Sequence, residues 1–235
     1  MATSGSDDKH RASVAAVEWL IKHHRQSVHD ALQADYFGLL DDDDRANIVG
    51  ISDNAREAIH SNAQEWLLAQ AQLTLRNGRR VRACELVLGR GGPSLTRSQR
   101  AYLKCLAVRP LALYEVRDSS ANDGIVLKNV FAEWERPWMA KRECPPDLCP
   151  TGFIGTRTIF MDGWQLAGIY PFSRDSGTRV REGILKLLSD PMLADEKWYS
   201  PRANDLLARI VVGCWLSVMA TPRDMNLGGK IVNQT

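Results

Sequence analysis

The sequence predicts an α+β protein in which an N-terminal helical segment and C-terminal helices bracket a small antiparallel sheet or partial β-barrel, and three observations carry that expectation. In the run from Phe153 to Phe172, Asp162-Gly163 sits between two segments rich in β-branched and aromatic residues. That dipeptide suits a two-residue turn whose central residues both need φ > 0, so the run reads as a long β-hairpin. Upstream of Pro110, apolar residues recur every three or four positions, and the same period returns after Arg179. Between these regions lie short β-prone runs separated by turn residues.

Taken in order, residues 1–11 are small, polar and charged and are expected to form a disordered tail. Residues 12–109 form the helical region. Val14, Val17, Leu20 and Ile21 mark one helical stripe, and Val28, Leu32 and Tyr36 continue it. Asp41 to Asp44 read as a helix cap with acids opposing the positive N-terminal dipole. A clearer helix starts at Ser52 or Asp53 and runs to about Gln72, burying Ile59, Ala63, Trp66, Leu67 and Leu73. Asn77-Gly78 breaks the pattern, and Arg80 to Leu88 read as a short helix ended by Gly89. Thr96-Arg-Ser-Gln99 is a capping box for a helix that buries Tyr102, Leu103 and Leu106.

Residues 110–175 hold the sheet. Pro110 disfavours helix in the residue before it, and strands are expected at Leu111–Val116, Ile125–Phe131 and Pro137–Arg142 before the hairpin. On the second arm of the hairpin, strict alternation puts Trp164, Leu166, Gly168, Tyr170 and Phe172 on one face. Residues 176–235 are read as helices packing on the sheet: Arg179–Ser189, then a helix capped by Ser200 with Pro201 at its first position. A Lys-Ile-Val fragment near the end reads as strand-like. The apolar run Leu206–Ala220 is interrupted by Arg209 and is too short for a bilayer core of about 30 Å, so no membrane partner is expected.

Asn62-Ala-Gln-Glu-Trp-Leu67, Leu86-Val-Leu-Gly-Arg-Gly-Gly-Pro93 with Leu95-Thr96, Arg109-Pro-Leu-Ala-Leu-Tyr-Glu-Val116 and Tyr170-Pro-Phe172 together resemble a group of uncharacterised bacterial proteins that often carry a C-terminal SEC-C zinc motif. The resemblance covers about residues 60 to 175 and implies a shared fold. The cysteine-rich SEC-C signature is absent from this chain, so no zinc site follows from the likeness.

Charge is regional. Residues 1–75 carry 6 Lys/Arg against 12 Asp/Glu, residues 76–109 carry 9 against 1, and residues 110–235 carry 15 of each. The basic segment supplies the anion-binding candidates Arg76, Arg79, Arg80, Arg82, Arg90, Arg97, Arg100 and Lys104, since guanidinium groups pair with phosphates bidentately. Two alternatives stay open for them: solvated helix faces, and ion pairs with the acidic N-terminal third. The sheet supplies Trp134, Trp138 and Trp164, with Arg136 and Arg142 nearby, as candidates for a binding face or, alternatively, for core.

No nucleophile–base motif, dinucleotide fingerprint or phosphate loop is present, and Glu133 and Glu135 are too generic a carboxylate pair to name as catalytic. Cys144 and Cys149 have a spacing that zinc tolerates, but all five histidines lie in the N-terminal third, with His23, His24 and His29 read as surface residues. Five cysteines without a framework and no signal-like N-terminus point to a reduced, cytoplasmic setting. The expected function is therefore non-catalytic binding of a macromolecule, with no metal or cofactor. A protein partner is the first expectation. Nucleic acid, held by the basic segment and the sheet aromatics, is the alternative, and an enzyme with an unrecognised site is the third; the oligomeric state is not set by the sequence.

Overall fold

A computed structural model describes residues 5–119, 124–132, 135–141, 151–161, 163–189 and 200–221. Helix α1 (Gly5–Ala31) opens the chain and kinks at His24, where φ is −137° and ψ is 31°. A π-helical turn at Leu32–Tyr36 and a 3-10 turn at Phe37–Leu39 follow it. Helix α2 (Asp42–Ile48) is capped by Asp41, whose carboxylate accepts from the Asp44 amide at 2.8 Å, with Asp42 to Asp44 filling the first turn. Such a cap is worth about 1 kcal/mol. Helix α3 (Asp53–Ala69) is capped by Ser52 and buries Ile59, Ala63, Trp66 and Leu67.

A two-stranded hairpin comes next, β1 (Gln72–Thr74) with β2 (Arg80–Arg82), followed by α4 (Ala83–Leu88) and α5 (Arg97–Val108). The capping box at Thr96 and Gln99 is formed at both ends. Strands β3 (Ala112–Asp118), β4 (Gly124–Asn129), β5 (Trp138–Lys141), β6 (Phe153–Phe160) and β7 (Trp164–Phe172) build one antiparallel sheet in the order β5-β4-β3-β6-β7. Helices α6 (Arg174–Leu188) and α7 (Pro201–Ala220) end the described chain, capped by Ser173 and Ser200.

This strand order is that of a five-stranded Greek-key barrel opened between its third and fifth strands. The sheet curls but does not close. Its concave side encloses a small apolar core of Tyr114, Val116, Ile125, Leu127, Ala140, Ile154 and Leu166. The opposite side of β6 and β7 joins the main core, where Ile159, Ala167, Tyr170 and Phe172 meet Leu20, Trp66, Leu67, Leu106, Val211 and Trp215 from the helices.

Several expectations are corrected. Residues 5–11 are the first turns of α1 and not a tail, because Ala12 and Ala16 are buried and Lys9 Nζ donates to the Leu166 carbonyl at 2.7 Å. Helix α3 ends at Ala69, and Asn77-Gly78 belongs to a hairpin turn in which Gly78 has φ 77° and Asn77 Oδ1 accepts from the Arg79 amide. The turn signal of that dipeptide outweighs the helical propensity on either side. Helix α6 starts five residues earlier than its apolar stripe announces, at the Ser173 cap. Helix α7 is long and apolar enough to cross a membrane by length and composition alone, and it buries Leu207, Ala208, Val211, Val212, Trp215 and Leu216 as a core helix does.

The alternation along β7 also fails, at Gly168. The register passes from Arg157↔Ala167 to Gly155↔Tyr170, so the β7 side has one extra residue, a β-bulge. Trp164 and Leu166 therefore face the small core, while Tyr170 and Phe172 have moved to the main core beside Ala167. Gly168 has φ 67°, and a Cβ there would stand 2.5 Å from Glu65 Oε2. Substitution Gly168→Ala should cost at least about 2 kcal/mol, combining left-handed strain with overpacking; urea unfolding of the two proteins measures it.

Candidate functional site

The helices are fastened to the sheet by a buried polar cluster. Glu65 lies on α3 among apolar neighbours, and Arg157 is the one charged residue within β6; their side chains are 8% and 3% exposed. Arg157 Nε donates to Glu65 Oε1 at 2.5 Å, Nη1 to the Arg109 carbonyl at 2.7 Å, and Nη2 to Gln70 Oε1 at 2.7 Å. Tyr170 Oη donates to Glu65 Oε2 at 3.2 Å. One guanidinium thus joins β6 to the end of α3 and to the segment leaving α5. Burial pushes the Glu65 carboxyl above its ordinary range, against the downward pull of Arg157, Tyr170 and Lys9. Burial likewise raises Tyr170 and Tyr36, with the neighbouring Glu65 charge adding to both. Nothing in this cluster is open to a substrate, so its work is positional.

Beside it, Asn62 treats the outer edge of β7 as a strand would. Its Nδ2 donates to the Ile169 carbonyl at 2.7 Å and its Oδ1 accepts from the Ile169 amide at 2.9 Å. With Lys9 on the Leu166 carbonyl, two side chains occupy backbone groups that an edge strand otherwise offers to other chains.

The basic segment forms one continuous unit, β1-β2-α4-α5, and it divides by role. Arg82 is half-buried and donates to the Ala69 carbonyl at 2.6 Å and the Ala107 carbonyl at 2.8 Å, capping the ends of α3 and α5. Arg100 donates to the Leu88 carbonyl at 3.1 Å at the end of α4. These two are structural. Arg76, Arg79, Arg80, Arg90, Arg97 and Lys104 are exposed, and among the described residues none of their side chains forms a hydrogen bond or an ion pair with the acidic N-terminal third. The carboxylates there do other things: Asp41 caps α2, Asp53 pairs with Arg56, and Glu65 holds Arg157.

The sheet aromatics form a ladder across the open seam between β5 and β7. Phe160 meets Trp164 at 5.2 Å between ring centroids, Trp164 meets Trp138 at 5.1 Å, and Trp138 meets Tyr114 at 5.6 Å. Trp138 and Trp164 are half-buried and pack on the small core, while Arg136 is exposed just before β5. Trp134, Arg142, Glu133, Asp162, Cys144, Cys149 and the Lys-Ile-Val fragment lie outside the described residues. Phe160, which the sequence reading did not single out, is the exposed outer rung, at 58%.

Other candidate chemistry is sparse. Among the described residues no group of three His, Cys, Asp or Glu side chains is placed to hold a metal ion. The His23 and His24 rings lie tilted against Trp19, with centroids 4.9 and 5.4 Å away. An apolar cavity of about 380 Å³ opens between the start of β3, Asn129 to Phe131, and helices α6 and α7, with Arg181 at its lining.

The signals for the buried pair were present but faint: a lone arginine inside a β-run, and a glutamate beside Trp66 on the apolar face of a helix. Arg157→Met alone is expected to cost about 3–5 kcal/mol, because it leaves Glu65 buried without its partner. The double variant Glu65→Met with Arg157→Met should be less destabilised than the sum of the two single variants, as a denaturation double-mutant cycle would register. Comparison with protein families, with curated proteins and with solved structures found no match for this chain.

Proposed function

We propose that the protein binds nucleic acid without transforming it, holding the phosphate backbone on the β1-β2-α4-α5 unit. The observation that carries this reading is the state of six cationic side chains: Arg76, Arg79, Arg80, Arg90, Arg97 and Lys104 are exposed, and among the described residues no acid of the N-terminal third pairs with them. A solvated basic face needs no partner, but nine Lys/Arg against one acid within 34 consecutive residues is a concentration that attracts a polyanion and releases its counterions. Packing adds to the argument. Arg82 and Arg100 fasten the unit to helix ends, so the remaining charges are displayed from a fixed frame and not from a loose tail.

Open five-stranded barrels of this strand order commonly bind oligonucleotides or oligosaccharides on the outer face of the second and third strands. Here that face carries Lys128, Met139 and Lys141, with Val126 between them. The analogy concerns fold alone and ranks below the charge argument. A protein partner remains the second reading and draws on a different feature, the apolar cavity between the sheet and helices α6 and α7.

Fluorescence anisotropy with a labelled 20-base-pair duplex, titrated at several salt concentrations, tests the proposal. Binding should weaken as salt rises, and Arg76→Ala/Arg79→Ala/Arg80→Ala should flatten the log–log slope by about 2 to 3. Arg82 is left intact in that variant because its loss would disturb the fold. Absence of binding at low ionic strength both to this duplex and to either of its strands alone, or a slope that the triple variant leaves unchanged, would reject the reading.

A further inference from the structure

The aromatic ladder has a graded exposure that a purely structural cluster does not need. Tyr114 is 6% exposed, Trp138 and Trp164 are intermediate, and Phe160 is 58% exposed. Scattered exposed aromatics are ordinary on protein surfaces. Phe160 differs because its ring is braced from behind. It lies directly across the β6–β7 pair from Trp164, in edge contact at 5.2 Å, and Trp164 is in turn backed by Trp138 and Tyr114. The ring is thus held before any ligand arrives, which lowers the ordering cost of stacking on it.

Positive charge stands near the same rungs. Arg136 is exposed two residues ahead of Trp138, and the Lys141 stem lies against Gly163, with Cε 3.0 Å from where a Cβ would be. An aromatic face bordered by cations is the arrangement on which single-stranded nucleic acid stacks its unpaired bases while its phosphates are neutralised.

We infer that Phe160, backed by Trp164, is a stacking platform for an unpaired base, so that the nucleic acid bound by this protein is single-stranded where it crosses the open seam of the sheet. This rests on the nucleic-acid reading above and adds a second contact point to it. Duplex bases are already stacked and do not offer that face.

The test compares a labelled 15-nucleotide oligothymidylate with a duplex of equal length, using the full chain, Phe160→Ala, Phe160→Tyr and Phe160→Leu. Phe160→Ala and Phe160→Leu should weaken single-strand binding about tenfold, Phe160→Tyr should retain it, and duplex binding should change less than about twofold in all three. Phe160→Leu keeps apolar bulk, so it separates loss of stacking from loss of packing. Single-strand binding that is unaffected by Phe160→Leu and Phe160→Ala overturns the platform while leaving the basic surface standing. Failure of the unsubstituted protein to bind either probe at low salt overturns both.

Discussion

The ion pair between Glu65 and Arg157 is the constraint around which the rest is arranged. Two charges out of water are costly, and their mutual attraction offsets that cost only when every remaining donor and acceptor is also satisfied. Here the guanidinium uses Nε and Nη2 on α3 and its C-terminal cap and Nη1 on the segment leaving α5, and the carboxylate receives the Tyr170 hydroxyl on its second oxygen. The geometry leaves little slack. Moving α3, the end of α5 or β6 relative to the others breaks a charged hydrogen bond in the interior, so the helical half and the sheet are fixed in mutual register.

From that fixed point two consequences spread. Glu65 comes so close to β7 that only a glycine fits opposite it, and Gly168 supplies both the space and the positive φ of a bulge. The bulge then turns Tyr170 and Phe172 toward the helices while leaving Trp164 and Leu166 on the concave side. The same strand thereby serves both cores, and the aromatic ladder is left at the seam. On the other side, Arg82 and Arg100 use their charge on helix-end carbonyls, as Arg157 does on Arg109. Arginine is suited to this because one planar group reaches two carbonyls at once. The exposed arginines of the basic segment are displayed from a scaffold partly made by their buried neighbours.

Local chemistry was the legible part of the sequence. The caps at Asp41, Ser52 and Ser200, the capping box at Thr96, the strand after Pro110 and the pairing of β6 with β7 depend on residues within a few positions of each other, and they formed where the residues indicate, except that Phe160 stands opposite Trp164, which leaves three residues between these strands and not the two expected. The α+β class followed from the same signals. What stayed hidden depends on contacts between distant residues. Glu65 and Arg157 are 92 positions apart, and neither periodicity nor spacing ties one to the other. The bulge was hidden for the same reason: alternation is a local rule, and Gly168 breaks it because of a carboxylate on another element. Arg82 looked like any other member of a basic run until its two carbonyl partners were in view. Nothing local to Phe160 sets it apart in the sequence, and only its 58% exposure in the fold separates it from the fully buried Ile159 beside it.

Native-state hydrogen exchange at the Ile169 amide bears most directly on the claim that the buried polar cluster locks the helices to the sheet. Among the described residues this amide has no strand partner; its acceptor is Asn62 Oδ1 on α3, 2.9 Å away and one turn from Glu65. If α3 and β7 are locked together, Ile169 exchanges only on global unfolding, as slowly as the Leu113 and Gly155 amides in the middle of the sheet. Exchange at the rate of a free edge strand, with the central amides still protected, would contradict it.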